Sequence, residues 1–457
     1  MSRLIIVSNR MGDPTKPPQG GLAVALNGAL HRMGGVWMGW SGSTVGAGAE
    51  NRLHIRNHDR ITLAGLDLDQ SDYDNYYLGY SNSVLWPAFH HRVDLIETEP
   101  VFLDAYRRVN RTFAEHIARL VEPDDIIWVH DYHLIPVAAE LRARAVKNKI
   151  GFFLHIPFPP SQIFSAIPGH EWLMETMFSY DLVGFQTRTD MINFSLYAAR
   201  KLGIEQDVEG EVKAYGKTLD VGAFPIGIDV DQFRGLLQEE EAIELKQRLE
   251  IKAQGRFWIT GVDRLDYTKG LPERMKIFRR LLEKYPKNIG HSTLVQIAPP
   301  TREAVEAYAE IREELETLSG SVNGEFATID WTPVRYIHRY VSRARLAALF
   351  NISSVGLVTP LRDGMNLVAK EFVAVQSDDD PGVLVLSEFA GAAEELTEAL
   401  LVNPYDIENT ADTLQRALTM PVGERRERQE ALKAKVEKGD VVSWCRSFLA
   451  RLKNSGR

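Results

Sequence analysis

Short runs of apolar residues alternate along this chain with longer stretches in which apolar positions return every three or four residues. The runs at 4–8, 126–129, 150–156, 182–186, 257–262, 293–298, 355–358 and 383–387 have the length and composition of buried strands. The stretches at 101–120, 134–147, 189–202, 272–285, 301–318, 342–350 and 406–419 have helical spacing. Strand and helix in regular alternation predict parallel sheets covered by helices, an α/β fold. The alternation breaks at 228–255, where QEEEAIELKQRLEIKAQG is charged and helical before FWITGV restarts it. A chain of 457 residues exceeds what one core usually organises. Two α/β domains are therefore expected, 1–235 and 236–439, with a cleft between them.

Composition then removes partners. A net charge of −9 and a pI near 5.8 argue against nucleic acid or an anionic membrane as the main partner. The single cysteine, Cys445, cannot form an internal disulfide and fits a reducing cytoplasm. It lies in SWCRSFLARL and reads as helix packing rather than as a nucleophile. No run of 18 apolar residues occurs, and the apolar run in MSRLIIVSNR is too short for a signal peptide. The expectation is a cytoplasmic enzyme, with the oligomeric state open and a homo-oligomer compatible.

Candidate chemistry collects where strands end. In SVGLVTPLRDGMNLVAKE, residues 354–371, the run Val355–Val358 stops at Thr359-Pro360, and Asp363-Gly364 supplies a turn before a helical pattern. This junction predicts unpaired backbone N–H groups around Gly364, Met365, Asn366 and Leu367, a site for an anion, with Arg362 and Asp363 at its lip and Glu371 about two turns into the helix. The same fragment also occurs in α/β proteins with no ligand. After WITGV come Asp263, Arg264 and, five residues on, Lys269, a pair of cations suited to a diphosphate. Arg10 follows the first strand, and Gly20-Gly21 open the next helix as a second anion cradle or a plain surface loop. Arg302 follows LVQIA, so Arg10, Arg264, Lys269 and Arg302 all stand at strand ends of an acidic protein, a pattern that calls for anionic substrates. Tyr76-Tyr77 and Trp86 with His90-His91 read as a sugar-binding surface or as core. Asp131 follows IIWVH and suits a hydrogen bond from, or a proton from, a substrate hydroxyl; His155 follows GFFL in the same way or is a satisfied buried histidine. A zinc site of His130, His133 and His155 lacks any cysteine or HExxH support.

Taken together, SNR, NSVLWPAFH, HDYHL, FFLHIPFP, RLDYTKG and TPLRDGMNLVAKE resemble the trehalose-6-phosphate synthase family, the family 20 retaining glycosyltransferases, over nearly the whole chain. The resemblance implies a GT-B fold, two Rossmann-like domains with parallel sheets facing a central cleft. It implies that a C-terminal helix at about 440–457 returns to the first, acceptor-binding domain and that the second binds the nucleotide sugar. The implied reaction moves glucose from UDP-glucose to glucose 6-phosphate, with retention and no cofactor or metal. By motif, Arg264 and Lys269 would hold the donor diphosphate and Glu371 the ribose. Gly20, Gly21, Leu367 and Val368 would complete the donor site, and Asp363 with Gly364, Met365 and Asn366 would grip the glucosyl hydroxyls. Arg10, Tyr77, Asp131 and Arg302 would bind glucose 6-phosphate, and Trp86 and His155 would line the reaction centre. A glucosylglycerol-phosphate synthase using ADP-glucose and glycerol 3-phosphate, and a non-catalytic sugar-phosphate sensor, are the alternatives.

Overall fold

A computed structural model describes residues 3–12, 26, 28, 30, 34–46, 52–202, 210–252, 255–301 and 306–455. The chain divides into two compact units, Met1–Ile226 with Val441–Arg457, and Gly227–Asp440.

The first unit is built on a nine-stranded sheet: β1 (Leu4–Arg10), β2 (Gly35–Val45), β3 (Leu53–His58), β4 (Ile61–Asp69), β5 (Ile126–His130), β6 (Lys149–Phe153), β7 (Leu182–Phe185), β8 (Gly210–Ala214) and β9 (Lys217–Ala223). Their order is β3-β4-β2-β1-β5-β6-β7-β9-β8. All neighbours run parallel, as expected, except the edge pairs β3–β4 and β8–β9, which are antiparallel. Strands β5 to β7 are buried almost throughout, because helices cover both faces and both sets of side chains must be apolar. The edge strand β3 is mostly exposed. After β1 the chain builds to one side, through β2 and β4, and then crosses to β5 on the other. The carboxyl ends of β1 and β5 therefore form a topological switch point, where a crevice opens in such sheets.

The helix Val441–Asn454 belongs to this unit and packs on its sheet. Its Phe448 ring stacks on Trp128 at 4.7 Å, and a Cβ at Gly151 or Gly184 would come within 2.8 or 2.7 Å of that ring. The two glycines thus clear a seat for it. Arg451 closes the contact with two hydrogen bonds to Asp220, at 2.7 and 3.0 Å.

The second unit is an all-parallel six-stranded sheet of β10 (Phe257–Val262), β11 (Ser292–Ile297), β12 (Val334–Ile337), β13 (Val355–Val358), β14 (Val383–Ser387) and β15 (Leu400–Val402), ordered β12-β11-β10-β13-β14-β15. Its switch point lies between β10 and β13. The connecting helices Leu271–Lys284 and Arg343–Ile352 match the expected stretches within two residues, Glu306–Phe326 runs eight residues past the expected end at 318, and Leu367–Ala374 is the helix expected after Asp363-Gly364. The expected helix at 134–147 is shorter, Val137–Ala143, preceded by a single turn at Tyr132–Leu134.

Candidate functional site

Two loops leave the β10/β13 switch point and are tied together before any ligand arrives. Asp266, fully buried, caps the turn Tyr267–Lys269 by accepting from the Thr268 N–H at 3.0 Å and its hydroxyl at 2.9 Å. Gly270 follows at φ +60, where a Cβ would also overlap the Thr359 carbonyl oxygen, so only glycine fits. The Thr268 carbonyl in turn accepts from Leu361 N–H at 2.8 Å. The result aims Lys269 at Asp363: Nζ donates to Oδ2 at 2.6 Å, and only 10% and 15% of the two side chains is exposed. Asn366 donates to the same carboxylate oxygen at 3.1 Å.

Asn366 has φ +77 and begins the helix Leu367–Ala374, with its Oδ1 accepting from Ala369 N–H at 3.2 Å. First-turn N–H groups have no intrahelical partners, and those of Leu367 and Val368 lie where an anion is favoured. The loop's other side is held by the chain after β14: Asp363 N–H donates to Phe389, and its carbonyl accepts from Gly391 N–H at 3.0 Å. Met365 is buried, and its carbonyl accepts from Ala392 N–H at 2.8 Å. Gly364 is buried in the same loop.

Glu371 stands one turn into this helix, not two, because the helix starts at Leu367 rather than at the Asp363-Gly364 turn. Its Oε1 lies 3.6 Å from Arg343, whose guanidinium sits over the Phe233 ring at 5.2 Å. Burial pushes the Glu371 carboxyl up to about 7, against the pull of Arg343. Arg264 differs from Lys269: nearly half its side chain is exposed, 3.9 Å from Asp266.

At the β1/β5 switch point, Trp37 Nε1 donates to Ser8 Oγ at 2.8 Å, and Ser8 Oγ to the Arg10 carbonyl at 2.9 Å, which shapes the end of β1. Arg10 is exposed, its guanidinium 5.5 Å from the Trp40 ring centre. Trp40 contacts Tyr73 and Tyr77, and Tyr77 stacks on His133 at 5.8 Å. Both tyrosines stand on the π-helix Tyr73–Leu85, a wide-turned form that recurs at functional sites. It leads into Trp86, which is buried against His90 at 4.1 Å and Tyr132 at 5.7 Å.

Asp131, immediately after β5, has φ 73 and ψ 164, a conformation normally left to glycine that costs about 1–3 kcal/mol. The surroundings enforce it: Asp131 N–H donates to Phe153 at 2.8 Å, and Oδ1 accepts from His155 N–H at 3.3 Å. The His155 ring is used internally at both nitrogens. Gln186 has its carbonyl oxygen on Ile226 N–H at 3.0 Å, so its amide N–H faces His155 Nδ1 at 3.3 Å. The proton then sits on Nε2 and is donated to His130 Nδ1 at 3.1 Å. Burial lowers His155 to about 3, so the ring stays neutral. Among the described residues no cluster of three or more His, Cys, Asp or Glu could hold a metal ion.

The structure thus brings together Lys269, Asp363 and Asn366, with Glu371 on the same helix, and separately Arg10 and Tyr77 around Trp40, and Asp131 with His155. Trp86 joins its own aromatic cluster. Gly20, Gly21 and Arg302 lie outside the described residues. Sequence reasoning missed Trp40, Tyr73, Gln186 and Arg343. Tyr73 had a signal, its i,i+4 relation to Tyr77, while Gln186 and Arg343 are neighbours of the site only in space. No helix among the described residues is long and apolar enough to cross a membrane.

The glycosyltransferase family 20 model matches residues 7–454. A trehalose-6-phosphate synthase of Sodalis glossinidius is 48% identical over 455 residues, 99% of this chain and 96% of the relative. One of Sinorhizobium fredii is 48% identical over 98% of each chain. The solved α,α-trehalose-phosphate synthase (UDP-forming) of Burkholderia xenovorans in complex with glucose 6-phosphate is similar with a TM-score of 0.95 and 47% identity, covering 99% of this chain and 100% of that one. The E. coli protein solved with UDP-2-fluoro glucose gives 0.93 and 45%, covering 99% of each. The expected GT-B class is that of these neighbours. With both switch points inside the matched span, the chain belongs to glycosyltransferase family 20.

Proposed function

We propose that this chain transfers the glucosyl group of UDP-glucose to glucose 6-phosphate with retention, giving α,α-trehalose 6-phosphate and UDP. The observation that carries the reading is the Lys269–Asp363–Asn366 cluster beside a helix N-terminus, a cation and an anion poised for a diphosphate and for sugar hydroxyls. Residues 236–439 bind the nucleotide sugar. Lys269 and the exposed Arg264 take the diphosphate, with the Leu367 and Val368 amides and Gly20 and Gly21. Lys269 leaves Asp363 for the phosphate, the freed carboxylate accepts from the glucosyl hydroxyls, and the Gly364, Met365 and Asn366 amides donate to them. Glu371 accepts from the ribose.

Residues 1–235 with 440–457 bind the acceptor through Arg10, Tyr77 and Asp131, with Arg302 joining Arg10 on the phosphate. Trp86 and His155 line the reacting centre. In the step, the bond from the anomeric carbon to the diphosphate oxygen breaks, a bond to the acceptor oxygen forms on the same face, and the acceptor proton passes to the departing phosphate. A neutral His155 with both nitrogens engaged is no competing base. Charge on the leaving group is stabilised by cations and backbone amides, and no metal ion is required. The test is nucleoside diphosphate release in EDTA from a panel of donors (UDP-, ADP- and GDP-glucose) and acceptors (glucose 6-phosphate, glucose and glycerol 3-phosphate). UDP-glucose with glucose 6-phosphate should dominate. Preference for ADP-glucose and glycerol 3-phosphate, or no turnover, would refute it.

A further inference from the structure

Arg274, in the first turn of the Leu271–Lys284 helix, is completely buried. A guanidinium stays charged inside a protein, so its burial is tolerated only where its N–H groups meet acceptors. Three do: Nη2 donates to Asp263 Oδ2 at 2.7 Å, Nη1 to Gln296 Oε1 at 2.8 Å and Nε to Thr359 Oγ1 at 3.0 Å. These acceptors stand at the ends of β10 and β13, which flank the switch point, and of β11 beside β10. Space for the fork is provided by Gly261, where a Cβ would overlap the guanidinium and come 2.8 Å from Gln296 Oε1.

The polar chain continues outward. Asp263 Oδ1 lies 3.5 Å from Asn366 Nδ2, which donates to Asp363, the partner of Lys269. Burial raises the Asp263 carboxyl and Asp363 adds to the rise, while Arg274 and Lys269 oppose it. None of the donor-side roles above uses Arg274.

We propose that Arg274 is a positioning residue for donor binding: it holds Asp263 as an oriented anion, and Asp263, facing Asn366 and Lys269, fixes both where they meet the glucosyl diphosphate. This rests on the donor-site reading of Lys269. The test is a double-mutant cycle of Arg274→Met, Asp263→Asn and the pair, with UDP affinity by calorimetry and KM for both substrates. Arg274→Met should raise the UDP Kd and the UDP-glucose KM about tenfold and leave the glucose 6-phosphate KM within about threefold, with the double variant no worse than Arg274→Met. Additive losses, or equal rises in both KM values, would overturn the proposal as a general loss of packing. If Arg274→Met does not fold, Arg274→Lys decides, since it keeps the charge without the three-way fork: about a fivefold weaker UDP affinity supports the role, and a wild-type value overturns it. Lys269→Ala measured alongside separates the failures. Unchanged UDP binding there refutes the donor-site reading, whereas weakened binding there with normal Arg274 variants refutes only this inference.

Discussion

Glu371 gives donor binding a pH dependence whose size follows from its burial. With the carboxyl at about 7, roughly nine-tenths of the free protein carries the proton at pH 6 and about one-tenth at pH 8. Ribose hydroxyls donate to a carboxylate and are poorly served by a carboxylic acid, so binding selects the ionised form and releases the proton. The affinity for UDP-glucose should therefore be about tenfold greater at pH 8 than at pH 6, with roughly half a proton released at pH 7. UDP-glucose is the right probe because its diphosphate diester does not titrate in this window. Calorimetry in two buffers of different ionisation enthalpy measures both quantities, and Glu371→Gln should flatten the profile. The sign extends to stability: the folded-state pKa exceeds the ordinary carboxyl value, so the native chain binds the extra proton between about 4.5 and 7 and this group's contribution is lost as pH rises through that range. An affinity that does not change from pH 6 to 8, or one that falls, would refute the reasoning.

Lys269→Ala should lower kcat/KM by about 10²–10³, the loss expected when a charge partner of the leaving group is removed, in steady-state assays on folded protein. Arg264→Ala should lose less, since its side chain is half exposed in the free protein; a larger loss than Lys269→Ala would reverse their ranking. Asp131→Gly relieves the φ 73, ψ 164 backbone and should raise stability by up to about 1 kcal/mol in urea titrations while turnover falls. If the variant is both less stable and fully active, Asp131 is not a strained functional residue.

The central strands were legible because each is buried on both faces, so β1, β5, β6, β7, β10, β11, β13 and β14 read as plain apolar runs. β2 was not: GVWMGWSGSTV mixes glycine, serine and tryptophan, and its apolar content follows no single period. β12, VRYI, is only half-buried and carries a charge, and β15 is three residues long, too short to carry a pattern. The wide helix at Tyr73–Leu85 was invisible to a search at 3.6 residues per turn. In the site, residues at strand ends could be found because strand ends are where α/β sheets open. Their partners could not. Arg343 beside Glu371 and Gln186 beside His155 are far apart in sequence, and Asn366 moved the helix start by taking the cap position itself.

The central claim is tested most directly by the product. Purified protein given UDP-glucose labelled with carbon-13 at C1, together with glucose 6-phosphate, should yield one disaccharide phosphate whose labelled anomeric carbon shows α coupling to a second α anomeric centre, with UDP formed in equal amount. A β-configured linkage, or labelled free glucose in place of the disaccharide, would contradict the account.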